Sequence, residues 1–214
     1  MNLGDPTRFI LDVLYLVPAL VLGLTAHELA HAGVAVARGD QTPRIDGRLS
    51  INPSHHLDPW GTLAVFFIHF GWARPLRLNP YRMRSVFDPI LVWLAGPVAS
   101  LLIAVALSLP LKWMIAAPVV GIGSPVFEVL LTAFYFNVLL AVLNLIPIPG
   151  LDGYNVLAAL LRRRFSRLFF RVDSSRQVII GVVVLLVVFI PGLLNYAYDP
   201  VSTLLLGDVI RPVS

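Results

Sequence analysis

Six residues, Ala26-His27-Glu28-Leu29-Ala30-His31, constrain this chain more than any others. They spell H-E-x-x-H, and they sit inside an apolar run from Phe9 to Ala37. A helical repeat puts His27 and His31 on one face, one turn apart, so both imidazoles can reach a single metal ion. Glu28 lies beside them, placed to hold and deprotonate a water at that metal. Two imidazoles and a carboxylate among apolar neighbours cost several kcal/mol in lipid unless partnered. Either a metal or polar groups on neighbouring helices must satisfy them.

The surroundings of the motif say what kind of chain carries it. Of 214 residues, 57% are hydrophobic and 13% charged, and the mean hydropathy is +0.82. A water-soluble fold of this size could not cover so much apolar surface, so the chain reads as an integral membrane protein. The net charge of +4 does not point to nucleic acid, because the arginines cluster between apolar runs, where they serve as juxtamembrane anchors. There is no cysteine, which excludes a disulfide framework and a thiolate zinc site. Any zinc must be held by histidine and carboxylate. The N-terminal apolar run lacks a basic leader and a small-residue cleavage site and reads as retained.

Taken in order, the chain predicts an all-α polytopic membrane protein of about four spans, with a short re-entrant segment and a small membrane-associated β-hairpin. Phe9 to Ala37 exceeds the roughly 20 residues a span needs and ends at Arg38-Gly39-Asp40. Arg44 to Ile51 alternates around Asp46-Gly47, a hairpin signal. His55, His56 and Asp58 follow, either as loop residues or as further ligands. Gly61 to Phe70, with His69 near its end, is too short to span and reads as re-entrant or interfacial. Trp72 to Pro80 is proline-broken and extended. Pro89 to Leu111 is the second span. Its Gly96, Pro97 and Ser100 permit close helix approach and distort the helix, whether for packing or for function. Val126 to Ile146 is the third, carrying Asn137 and Asn144 and breaking at Pro147-Ile148-Pro149-Gly150-Leu151-Asp152-Gly153. Non-helical backbone at that depth is tolerated where it is buried in protein or lines a wet cavity. Tyr154 to Arg176 is amphipathic, with six arginines interleaved with aromatics, and suits an anionic headgroup surface. Val178 to Leu194 is the expected fourth span. The whole, 1–214, reads as one domain with a core over 9–153 and an appended basic segment and last helix over 154–214.

Arginine placement gives an orientation. With 61–70 re-entrant, Arg38, Arg44, Arg48, Arg74, Arg77, Arg82, Arg84 and the six late arginines share one side, against Arg8, Lys112 and Arg211 on the other. The positive-inside rule makes the crowded side cytoplasmic. The same arrangement brings the end of the first span and the break after the third to one leaflet, where Asp152 can meet His27 and His31.

With these residues in place, the chain resembles the site-2 protease family of intramembrane zinc metalloproteases, in a compact form without PDZ or CBS domains. The resemblance rests on H-E-L-A-H at 27–31, A-G-P-V-A-S at 95–100, N-L-I-P-I-P-G-L-D-G at 144–153, and F-G-W-A-R-P at 70–75 followed by Asn79-Pro80. It implies one Zn2+ held by His27, His31 and Asp152, with Glu28 as general base. It implies that Asn144 contacts substrate backbone or supports the site, with Asn137, Pro149, Gly96 and Pro97 as further supporting residues. The implied partner is a transmembrane protein, such as an anti-sigma factor or membrane-tethered transcription factor, in a bacterial or archaeal plasma membrane, and not nucleic acid. Among the acidic residues, Asp152 alone combines that leaflet, a helix break and apolar flanks. The rival readings are a metal transporter, which needs a continuous polar path across the membrane, and a non-proteolytic zinc-binding scaffold.

Overall fold

The computed structural model describes residues 6–68, 72–117, 121–190 and 192–207. His69, the Phe70-Gly71 part of the F-G-W-A-R-P stretch, and Arg211 of the charge count lie outside them. The described chain is mostly helical. Its helices are α1 (Pro6–Ala37), α2 (Thr42–Ile45), α3 (Pro59–Ile68), α4 (Asp88–Ala116), α5 (Pro125–Leu145), α6 (Asp152–Leu161), α7 (Ser166–Ser174), α8 (Arg176–Phe189) and α9 (Leu193–Leu206).

Three of these, α1, α4 and α5, are long and apolar enough to cross a membrane. Helix α4 shows why they pack together. It is apolar all round, yet Gly96, Ser100, Ala104 and Ser108, four residues apart, are buried, while Val98, Leu102, Val105 and Leu109 are exposed. Small residues let helix backbones approach, and large apolar ones face lipid at no cost. Helix α1 repeats the device, with Ala19, Gly23, His27, His31 and Ala35 on its buried stripe. At Gly23 a Cβ would come within 2.9 Å of the Phe136 ring. His31 meets the Val92 carbonyl and His27 meets Ser100, so α4 runs antiparallel to α1. The apolar core, with Leu111, Met114, Phe127, Phe134 and Leu206, fills the other half of the bundle, where α9 lies against α4 and α5.

Two expectations are corrected. The fourth span, Val178 to Leu194, is not one helix. Helix α8 stops at Phe189, and α9 starts after Gly192, whose φ of 75° is left-handed. Gly192 tolerates that positive φ, which lets the chain turn before α9. The hairpin at Arg44 to Ile51 is also absent, and no strand occurs among the described residues. Pro43 opens the short helix α2, and Gly47, at φ 70°, closes it as a C-terminal turn.

Arg48 explains the rest of that loop. Its guanidinium is buried and donates to the carbonyls of His55, Arg74 and Pro75 at 2.6 to 2.8 Å. A buried charge costs several kcal/mol. Three charge-assisted bonds at about 1.5–3 kcal/mol each offset it. The guanidinium thereby ties the 48–56 loop to the extended 72–78 chain, whose single described bridge pairs Ala73 with Leu57. His56 donates from Nε2 to the Ser50 carbonyl, and burial lowers its pKa. At the end of α1, burial would raise the Asp40 carboxyl, but bonds from Thr42 and from the Asn79 N–H hold it below the usual carboxylate range.

Candidate metal centre

Three side chains from two distant parts of the chain converge inside the bundle. The stripe of α1 supplies His27 and His31. Asp152 arrives as the first residue of α6, after Pro149 is buried and Gly150 turns at φ 108°. Oδ2 of Asp152 stands 3.0 Å from Nε2 of His27 and 3.1 Å from Nε2 of His31. All three side chains are buried, and their ligand atoms lie within 4.8 Å of one another. Gly153 makes the approach possible, because any Cβ there would collide with the Leu145 carbonyl at the end of α5.

The second ring nitrogens show what the cluster is built for. Nδ1 of His31 donates to the Val92 carbonyl at 2.6 Å, since a carbonyl can only accept. In the neutral ring, Nε2 is then a bare lone pair aimed at a carboxylate oxygen. A metal ion between the two groups, or a second proton on the ring, satisfies that 3.1 Å contact. Nδ1 of His27 meets the Ser100 hydroxyl at 3.0 Å, so both rings are oriented by a partner on α4. Two imidazoles and a carboxylate, with no thiolate, form a donor set that suits zinc with one position open. Gly96 completes the cradle. A Cβ there would stand 2.5 Å from Nε2 of His27 and closer still to Nε2 of His31. Pro97, also buried, cannot donate to the carbonyl four residues back, so the α4 ladder is interrupted next to the carbonyl that receives His31.

The other expected residues divide. Glu28 is partly buried beside the cluster and has no hydrogen bond among the described residues, and the Arg48 guanidinium acts on it electrostatically. Asn137 is fully buried. Its Nδ2 donates to the Ala133 carbonyl, while Oδ1 faces Gly23 with no hydrogen-bond partner among the described residues. Asn144 donates to the Leu140 carbonyl on its own helix, and among the described residues it has no hydrogen bond to the cluster. His55 is exposed, and His56 is a loop clamp. Asp58 caps α3 through the Gly61 N–H. Asp88 accepts from the Ser85 N–H and lies 3.8 Å from Arg38. Ser100 is legible in the sequence as a small residue for close helix approach but not as the partner of the His27 ring, and Trp93, whose ring lies 5.6 Å from that of His31, carries no such signal. The signal for Ser100 was its place one turn beyond Gly96.

The chain is 35% identical over 192 residues to "Putative zinc metalloprotease YwhC" of Bacillus subtilis, an overlap covering 87% of this chain and 84% of that protein. The profile of Peptidase family M50 matches residues 114–189. The chain belongs to peptidase family M50, the site-2 proteases. A further relative, "Putative zinc metalloprotease Rip2" of Mycobacterium tuberculosis, is 30% identical over 185 residues, covering 82% of this chain and 66% of its own. Its counterpart in Mycolicibacterium smegmatis is 31% identical over 160 residues, with 71% and 59% covered. No solved structure matches. Membership of M50 makes the chain a membrane zinc metalloprotease, with zinc as its cofactor.

Proposed function

We propose that the chain is an intramembrane endopeptidase that hydrolyses a peptide bond within a membrane-spanning segment of another protein. One observation carries the reading. The three-donor cluster is buried in the bundle, and His27 lies ten residues before the end of α1 at Ala37, about 15 Å along the helix. A protease centre at such depth meets substrates that themselves lie in the bilayer.

His27, His31 and Asp152 are the zinc ligands in this reading. Zinc held there supplies Lewis-acid polarisation of a carbonyl and an acidified water. Glu28 takes the water proton as the hydroxyl adds to the carbonyl carbon, then delivers it to the amine nitrogen as the C–N bond breaks. Ser100 and the Val92 carbonyl hold the imidazoles in place. A helical substrate hides its carbonyl in the backbone ladder and must unwind. The extended 72–78 chain offers an edge for the unwound strand, and Asn144 supports it near the broken backbone at 146–151.

The crowding of the late arginines supports a cytoplasmic position for the metal end of the bundle. With no native cysteine, Ser166→Cys should resist an impermeant thiol reagent in intact cells while Ser124→Cys reacts, and the reverse pattern contradicts the orientation. The substrate class is a membrane-tethered regulator, an anti-sigma factor or transcription factor. Membrane proteomics of cells making the wild-type chain or Glu28→Gln tests it. Accumulation of uncut regulators in the variant supports the reading, and identical membrane proteomes oppose it.

A further inference from the structure

The late arginines take no part in the metal centre, and their distribution is uneven. From Arg162 to Arg176 the chain carries six arginines and one acidic residue, Asp173. That carboxylate is taken twice, by the Tyr154 hydroxyl at 2.5 Å and by Arg162 at 3.0 Å. The Tyr154 hydroxyl is the donor in that bond, since a carboxylate oxygen only accepts. Among the described residues no carboxylate lies within ion-pair reach of Arg163, Arg164, Arg167 or Arg171. All four are exposed.

Helix α7 sorts its faces. Phe169 points inward and packs on Tyr154 and Ala158 of α6. Arg167 and Arg171, one turn apart, lie on the opposite crest. Leu168 and Phe170 flank that crest, 58% and 74% exposed. Helix α8 begins at Arg176, directly after α7 ends, and is apolar from Val178 onward. Helix α7 therefore stands between an exposed arginine run and an apolar helix, the sequence pattern of a water–hydrocarbon boundary. Arginines between exposed apolar shoulders at that boundary match phosphate above and acyl chains below. An acidic protein or a nucleic acid would match the charge and leave Leu168 and Phe170 unexplained.

We infer that α7 and the turn before it form a binding surface for anionic phospholipid headgroups, gripped by Arg163, Arg164, Arg167 and Arg171, and that the Tyr154–Asp173 bond ties the seated helix to the turn carrying Asp152. The coupling rests on the reading of Asp152 as a zinc ligand; the binding does not. Native mass spectrometry of the purified full chain in non-ionic detergent, with phosphatidylglycerol or phosphatidylcholine added, reads the binding. Phosphatidylglycerol should be retained preferentially. A variant with Arg163, Arg167 and Arg171 all changed to Gln should lose that preference by roughly fivefold per arginine. Equal retention of the two lipids by the wild-type chain overturns the proposal. So does glycerol phosphate competing as well as the lipid, or an acidic peptide or RNA oligomer displacing it. Zinc loss to a chelator in phosphatidylglycerol against phosphatidylcholine nanodiscs reads the coupling. Wild-type zinc should leave more slowly with the anionic lipid, and Tyr154→Phe should bind the lipid yet lose that protection. Equal zinc loss in the two lipids overturns the coupling. A chain that meets both expectations and cuts no substrate contradicts the protease reading while leaving this one standing.

Discussion

Nε2 of His31 stands 3.1 Å from Oδ2 of Asp152, a residue 121 positions later in the chain, while Nδ1 of the same ring gives its hydrogen to the Val92 carbonyl. The geometry turns a lone pair towards a carboxylate in a buried site. The two groups, with His27, form a cluster able to hold a metal ion, and it joins the α1 stripe to the start of α6.

Removing the carboxylate should therefore remove the metal. Asp152→Ala is expected to lower zinc stoichiometry from one per chain towards zero, because two histidines alone seldom hold zinc tightly. Asp58→Ala and Asp88→Ala should keep it, since those carboxylates serve helix starts. Metal analysis of the purified variants decides. Full zinc in Asp152→Ala together with loss in His56→Ala would move the third ligand to the polar loop.

Gly96 should tolerate no side chain. A Cβ there collides with both Nε2 atoms, so Gly96→Ala should push the imidazoles off their partners and cost at least the 10–100-fold in metal affinity that a lost orienting contact typically costs, on the order of magnitude. Gly33, on the same helix as the histidines, has nothing within 4 Å of its Cβ position. Gly33→Ala should keep zinc and stabilise by about 0.5–1 kcal/mol through helix propensity. Zinc titration and thermal unfolding of the pair separate a local clash from a general intolerance of substitution.

His56 should make the chain acid-sensitive. Burial lowers its pKa below the ordinary 6.5, so the neutral ring favours the folded state. Its contribution is present above about pH 6.5 and is lost as pH falls below that value, where the unfolded chain takes up the proton more readily. Thermal unfolding in detergent from pH 7.5 to 5 should show the loss, and His56→Gln should flatten that limb. An unchanged limb in the variant would assign the acid sensitivity elsewhere.

The parts of the fold that were legible are those written in local periodicity. The spacing of His27 and His31 on one helical face, the three long apolar runs, and the helix break that frees Asp152 all depend on neighbours within a few residues. The partners of the rings were not legible. Ser100 and Val92 lie 73 and 61 residues from the histidines they orient, and nothing local marks them beyond the small-residue stripe. The hairpin expectation failed for a related reason. Asp46-Gly47 serves a helical C-terminus as readily as a β-turn, and the deciding contacts come from Arg48 to carbonyls at 74 and 75. The turn at Gly192 that separates α8 from α9 is hard to read in the sequence because the apolar residues continue on both sides of it.

The central claim is that Glu28, beside a zinc held by His27, His31 and Asp152, hydrolyses a peptide bond within the bilayer. The most direct measurement is mass spectrometry of products after reconstituting the purified chain in vesicles with a membrane-spanning substrate, with zinc content measured in parallel. Wild-type protein should cut within the apolar segment. Glu28→Gln should hold zinc at the wild-type level and lose cleavage by roughly a hundredfold or more, since the amide still bonds water but cannot take its proton. Zinc-loaded Glu28→Gln cutting at the wild-type rate, or wild-type cleavage confined to residues outside the apolar segment, would contradict the account.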